Sequence, residues 1–152
     1  MKFNLPYRGT SHTKILSHQT QVRVRFSEID SMHIVWHGEY LRYFEDGREA
    51  FGRRYAGLSY MDIYQNGFTA PIADLRIQFK SPLTLNDIAL IETRYLPTEA
   101  AKICFEYLIR RESDQQIVAE GHSLQVFLDS QNRLQLWPPS FYLAWKKRWG
   151  IE

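Results

Sequence analysis

The chain is predicted to form an α+β fold in which a curved antiparallel sheet wraps around one long central helix. Three patterns carry that prediction. A single segment, over 38–55, places apolar residues at spacings of three and four. One alternating, strand-like segment precedes it and four follow in succession. The links between the later segments are short, which favours antiparallel pairing. A lone helix with an apolar face needs a cover, and only the sheet is large enough to supply one.

The elements follow in order. Residues 1–19 are polar and irregular and read as a loosely held N-terminal arm. Over 20–27, Val22, Val24 and Phe26 alternate with Gln21, Arg23 and Arg25, the pattern of a strand with one buried face. Residues 28–37 break the alternation and form a loop. The helix over 38–55 turns Tyr40, Tyr43, Phe44, Gly47, Ala50 and Phe51 to one side. Glycine inside a helix costs roughly 1 kcal/mol against alanine. Its place on the apolar side at Gly47 implies a close approach of helix backbone to sheet. Gly57 is suited to ending the helix with a left-handed residue. A polar and aromatic connection runs to Pro71. Strands are then expected at 73–80, 87–95, 101–111 and 116–128, with a turn at 129–132. Pro138 and Pro139 open a last short helix, taken to run over 138–150.

At 152 residues the whole chain, 1–152, reads as a single domain. Apolar residues make up 44%, enough for a real core, and aromatics 14%, which predicts large ring-lined surfaces. A formal charge of +2 argues against a broad electrostatic grip on nucleic acid. Cys104 is the only cysteine, so neither an internal disulfide nor a cysteine-rich metal site is expected. The first residues lack the apolar core of a signal peptide, and no apolar run is long enough to span a bilayer. The expectation is a cytoplasmic protein with no membrane partner.

The candidate chemistry lies at Asp30. It sits on a loop a few residues ahead of a helix start, where a carboxylate faces backbone N–H groups that have no partner within the helix. Taken alone, an Asp in such a place also serves as a turn or cap residue. Asp30, His33 and His37 spell D-x-x-H-x-x-x-H, and histidines four apart on a helix bind zinc. Ile34, Val35 and Trp36 argue against helix between these two, so no metal is expected. Cys104 alternates within a strand with no base beside it and reads as structural.

The stretch IDSMHIVWHGEYLRYFEDGREAF resembles the N-terminal motif of the hotdog-fold acyl-CoA thioesterases, most closely their 4-hydroxybenzoyl-CoA thioesterase-like branch. Asp30 takes the family's Asp position. Ile34, Val35 and Trp36 take the hydrophobic and aromatic ones, His37 the helix start, and Tyr40 and Tyr43 the first turns. The resemblance spans about residues 20–128. Two positions depart from the pattern. Ile29 replaces a small polar residue, and His33 stands where the family has Gly; histidine tolerates positive φ better than a β-branched residue would.

The resemblance implies a hotdog fold and hydrolysis of an acyl-CoA to a carboxylic acid and free coenzyme A. Asp30 would be nucleophile or general base, and the His37 N–H the oxyanion donor. Substrate contacts are expected at His33, Val35, Trp36, Gly38, Tyr40 and Tyr43, with plain core packing the other reading of the two tyrosines. The coenzyme A phosphates are expected near Lys80 and Ser81, which otherwise form a solvated strand end. No cofactor is implied, coenzyme A being part of the substrate. A homodimer or homotetramer with the site at a subunit interface is implied as well. The alternatives are a thioesterase acting on acyl carrier protein and a non-catalytic acyl-CoA binding module.

Overall fold

The structure, a computed structural model, describes residues 14–151. In chain order its elements are β1 (Ser17–Arg23), a single 3-10 turn (Phe26–Glu28), α1 (Glu39–Arg54), α2 (Tyr60–Gln65) and β2 (Phe68–Thr69). Then come β3 (Ile72–Phe79), β4 (Ile88–Leu96), β5 (Lys102–Arg111), β6 (Ile117–Val126), β7 (Leu128–Asp129) and α3 (Ser140–Arg148). Five strands form one antiparallel sheet in the order β1-β4-β5-β6-β3, and β2 with β7 forms a separate ribbon. The long helix lies on one face of this sheet, as expected. No helix among the described residues is long and apolar enough to cross a membrane.

The alternation in β4 and β5 is the signature of a half-buried sheet. Ile91, Thr93 and Tyr95 of β4, and Ile103, Phe105, Tyr107 and Ile109 of β5, point into the core. The intervening residues form the outer face, where Arg94 bridges Glu92 at 3.3 Å and Glu106 at 3.2 Å. Against the inner face α1 lays its apolar stripe. Phe44 stacks on Tyr107 with ring centroids 4.1 Å apart, and Phe51 meets Phe105 edge-on at 5.0 Å. Each such fully buried side chain contributes roughly 1.5–3 kcal/mol relative to exposure. A Cβ at Gly121 would lie 2.7 Å from the Phe44 ring and 2.5 Å from the Arg76 carbonyl, so only glycine leaves room for that ring.

The C-terminal aromatics close the far end of α1. Trp145 Nε1 donates to the Tyr55 carbonyl at 2.8 Å and Trp149 Nε1 to the Ala56 carbonyl at 3.0 Å. These carbonyls follow the helix end, where no further turn supplies donors. Gly57 has φ +112°, a backbone region in which L side chains are strained.

Several boundaries differ from expectation. Of the expected arm over 1–19, residues 1–13 lie outside the described residues, and 17–19 belong to β1. Their polar side chains show no alternation of character, but their backbone pairs with β4, Ser17 opposite Arg94. That strand ends at Arg23, not at 27. The Val24 N–H still reaches the Asp87 carbonyl, but the Arg25 N–H is captured by the Glu28 carboxylate at 2.7 Å, and the chain tightens into the 3-10 turn. Phe26 is therefore 81% exposed instead of part of a buried face. The connection before Pro71 contains α2, whose capping box pairs Ser59 with Asp62. Ser59-x-x-Asp62 was readable as a helix start. The expected strand over 116–128 is divided, its end leaving the sheet as β7 to pair with β2. Pro139 stands as the N-cap just before α3 rather than inside its first turn.

Candidate active site

The loop between the 3-10 turn and α1 is a tight hairpin. Ile29 and Val35 form an isolated antiparallel bridge. Inside it the Asp30 N–H donates to the Ile34 carbonyl at 2.9 Å and the His33 N–H to the Asp30 carbonyl at 3.0 Å. His33 has φ +62°, so the loop does require a left-handed residue there. This is a β-turn followed by a bulge residue, a place where glycine is usual.

Asp30 is held at one oxygen only. Its Oδ1 accepts the Met32 N–H at 2.8 Å, the local bond of an Asx turn. Among the described residues Oδ2 has no hydrogen bond, so the carboxylate is oriented by one oxygen and the other is unengaged.

The chain then enters α1. Val35 donates to the Leu83 carbonyl at 2.9 Å, Trp36 to the Glu28 carbonyl at 2.9 Å, and Glu39 to the Trp36 carbonyl at 2.9 Å. Among the described residues neither the His37 nor the Gly38 N–H donates a hydrogen bond. The N-cap, Gly38, has no side chain to satisfy them. Two such donors at the positive end of a helix can stabilise charge developing on a carbonyl oxygen. Gly38 also leaves room for the Trp36 ring, into which any Cβ there would project.

The other expected residues divide by burial. His33, Trp36 and His37 are exposed, with Trp36 and His37 rings 5.1 Å apart. Val35, Tyr40 and Tyr43 belong to the core cluster, Tyr43 with 1% exposure. Burial, and after it the neighbouring Glu28 carboxylate, hold the Tyr43 hydroxyl well above its ordinary 10.0. Tyr40 meets Phe79 edge-on at 5.2 Å, and burial raises its hydroxyl as well. Because Val35 bonds to Leu83, the segment bearing Lys80 and Ser81 runs beside this loop. The Ser81 hydroxyl is engaged, donating to the Ile117 carbonyl at 2.8 Å. The half-buried Cys104 thiol is pushed up by burial, as suits a structural thiol. Among the described residues no group of three or more His, Cys, Asp or Glu is arranged to hold a metal ion.

Two features have no clear sequence signal. Glu28 accepts the Tyr43 hydroxyl at 3.1 Å, a contact between residues fifteen apart. A cavity of about 670 Å³ lies along the second half of α1, under α2, with Ile63, Ile103 and Phe105 among its apolar walls and Arg48 and Glu49 among its charged ones. The capping box at Ser59 was the only hint of its roof. From Glu39 to Glu49 the helix climbs about 15 Å, so this cavity is well removed from the same chain's Asp30 loop.

Residues 24–145 match the family model of the thioesterase-like superfamily. The Bacillus subtilis (strain 168) protein YneP, provisionally named an acyl-CoA thioesterase, is 36% identical over 73 residues, 48% of this chain and 52% of its own. An acyl-acyl carrier protein thioesterase of Arabidopsis thaliana chloroplasts, ATL3, is 28% identical over 116 residues, 76% of this chain and 60% of its own. The chain thus spans between half and two thirds of the length of these relatives. The crystal structure of a DHNA-CoA thioesterase from Staphylococcus aureus superposes with a TM-score of 0.77 at 20% identity, covering 88% of this chain and 91% of the other. With its helix-wrapped antiparallel sheet, the chain belongs to the thioesterase-like superfamily and has the hotdog fold.

Proposed function

We propose that this protein hydrolyses an acyl-CoA to a carboxylic acid and coenzyme A. The observation that carries the reading is the Asp30 carboxylate with one unengaged oxygen, on the loop that leads into a helix start whose His37 and Gly38 N–H groups have no acceptor among the described residues. The thioester carbonyl oxygen takes its hydrogen bond from His37 N–H. As general base, Asp30 Oδ2 takes a proton from water while the water oxygen adds to the carbonyl carbon. Collapse of the tetrahedral adduct expels the coenzyme A thiolate, which takes up a proton. As nucleophile, an Asp30 oxygen adds to the carbonyl carbon and the C–S bond breaks, expelling the coenzyme A thiolate and leaving an acyl anhydride that water cleaves to the carboxylic acid and the Asp30 carboxylate. A thiolate leaves readily, so neither route needs strong acid assistance or a cofactor.

The reading takes the working form as a homodimer joined along the free edge of β3, where Ile72 and Phe79 are exposed. The acyl group of a thioester bound at one helix start then enters the partner's apolar cavity.

The test is thiol release from aryl and aliphatic acyl-CoAs, with wild type and Asp30→Asn side by side and a protein-only blank for Cys104. General base catalysis contributes about 10²–10⁴-fold, and the variant is expected to lose that much. A near-wild-type rate in it overturns the assignment. A second reading, hydrolysis of acyl carrier protein thioesters, is favoured by the similarity to the Arabidopsis thaliana protein. Comparing the same acyl group on the two carriers separates them.

A further inference from the structure

Glu28 joins the two parts of the site. Its carboxylate Oε1 accepts the Arg25 N–H at 2.7 Å and the Tyr43 hydroxyl at 3.1 Å, while its carbonyl accepts the Trp36 N–H at 2.9 Å. It lies two residues before Asp30, and Trp36 lies one before His37. Tyr43 stands on the second turn of α1, sealed in the core with its ring edge-on to Tyr40 at 5.6 Å. Among the described residues, the Glu28–Tyr43 contact is the only side-chain hydrogen bond between residues 25–36 and α1. Backbone bonds from Trp36 N–H to the Glu28 carbonyl and from Glu39 N–H to the Trp36 carbonyl, both 2.9 Å, tie the hairpin to the helix start, and the Glu28–Tyr43 bond adds a side-chain tie one turn further along α1.

We propose that Glu28 and Tyr43 are a positioning pair that holds the Asp30 carboxylate in register with the His37 N–H, neither of them touching substrate. The inference rests on the hydrolysis reading above. A hydroxyl donating to a carboxylate is stronger than a neutral pair, and burial of the Tyr43 side shields this half-buried bond from competing water. Misplacement of a reacting group by about 1 Å costs on the order of 10²-fold in rate. The role assigned to Tyr43 is therefore that of a strut, not a pocket wall.

The experiment compares Tyr43→Phe, Glu28→Ala, Glu28→Gln and the Tyr43→Phe/Glu28→Ala double variant with wild type and Asp30→Asn, as rates per folded molecule. Tyr43→Phe keeps the ring and its packing, so the fold is retained. Tyr43→Phe and Glu28→Ala are expected to lower kcat by about 10–10²-fold with KM little changed. Glu28→Gln, whose amide oxygen still accepts both bonds, restores most of the rate. The double variant is no slower than the slower single one, because both remove the same contact. Wild-type kcat in Tyr43→Phe, or Glu28→Gln no better than Glu28→Ala, overturns the pair while leaving the hydrolysis reading intact. A fully active Asp30→Asn overturns both. Amide hydrogen exchange over residues 29–37 reads the pair without turnover. It is expected to speed up in Tyr43→Phe and not in Glu28→Gln, and unchanged exchange in Tyr43→Phe also overturns the proposal.

Discussion

The backbone of Gly47 on α1 lies directly against the hydroxyl of Thr93 on β4. A Cβ at position 47 would fall well inside van der Waals distance of Thr93 Oγ1 and 3.0 Å from Ile91 Cγ2. Both neighbours are fully buried on a strand in the interior of the sheet, so neither can move aside cheaply. Among the described residues the Thr93 hydroxyl has no hydrogen-bond partner, and it fills the space under the glycine.

Gly47→Ala is therefore expected to destabilise. Helix propensity favours the alanine by about 1 kcal/mol, but overpacking a sealed contact costs about 1–3 kcal/mol. The contact wins because the helix must lift off the sheet to relieve it. Urea denaturation measures the loss, and Thr93→Ala in the same chain should recover part of it. An alanine variant as stable as wild type would mean that the helix does not sit this close.

The left-handed conformation of His33 gives a second test. An L residue there is strained by about 1–2 kcal/mol, and a β-branched one most of all. His33→Val should be less stable than wild type by the extra strain of its β-branch, whereas His33→Gly should be at least as stable as wild type. Equal stability of the valine and glycine variants would contradict the φ of +62°.

At the other end of α1, Trp145 both covers Gly57 and donates to the Tyr55 carbonyl. Trp145→Phe leaves that carbonyl without its donor, at a cost of about 1–3 kcal/mol. The Asp30 loop is at the opposite end of the helix and Trp145 does not line the cavity under α2, so kcat per folded molecule should not change. A variant that keeps full stability would show that water replaces the indole without loss.

The buried tyrosines set the alkaline limit. Burial is the leading cause holding the hydroxyls of Tyr43, Tyr95, Tyr107 and Tyr142 above their ordinary 10.0. Above that pH the unfolded chain releases protons that the folded one keeps, so stability is full below pH 10 and falls as pH rises beyond it. Lys146, lowered by burial from 10.5 and donating to the Thr98 carbonyl at 2.7 Å, acts in the opposite sense. Between its depressed value and 10.5 it adds stability with rising pH, but it is one group against five, since burial raises Tyr40 as well. Part of the tyrosinate absorbance should thus appear only together with the loss of circular dichroism. Complete tyrosine ionisation with the fold intact would refute the burial.

Much of this was legible in the chain. The alternations at 87–95 and 101–111 report burial of one face, and β4 and β5 each run one residue or less from those limits. Gly47 on an apolar helix face announced a close approach, and the approach is to Thr93. The departure at His33 raised positive φ as a condition on that position, and the backbone there has φ +62°. Less visible were α2, written only as Ser59-x-x-Asp62, and the first half of β1, whose polar residues carry no periodicity.

The sequence by itself determined the long helix, the strands β4 and β5 with the faces they bury, and where the Asp30 loop meets a helix start, because those properties follow from local conformation and the spacing of apolar side chains. Only the tertiary structure decided that β3 crosses to pair with β6 and leaves a free edge, that Tyr40 and Tyr43 are sealed in the core, and that Glu28 reaches Tyr43. Each of these depends on contact between groups distant in the chain, and periodicity along one element holds no information about which partner meets it.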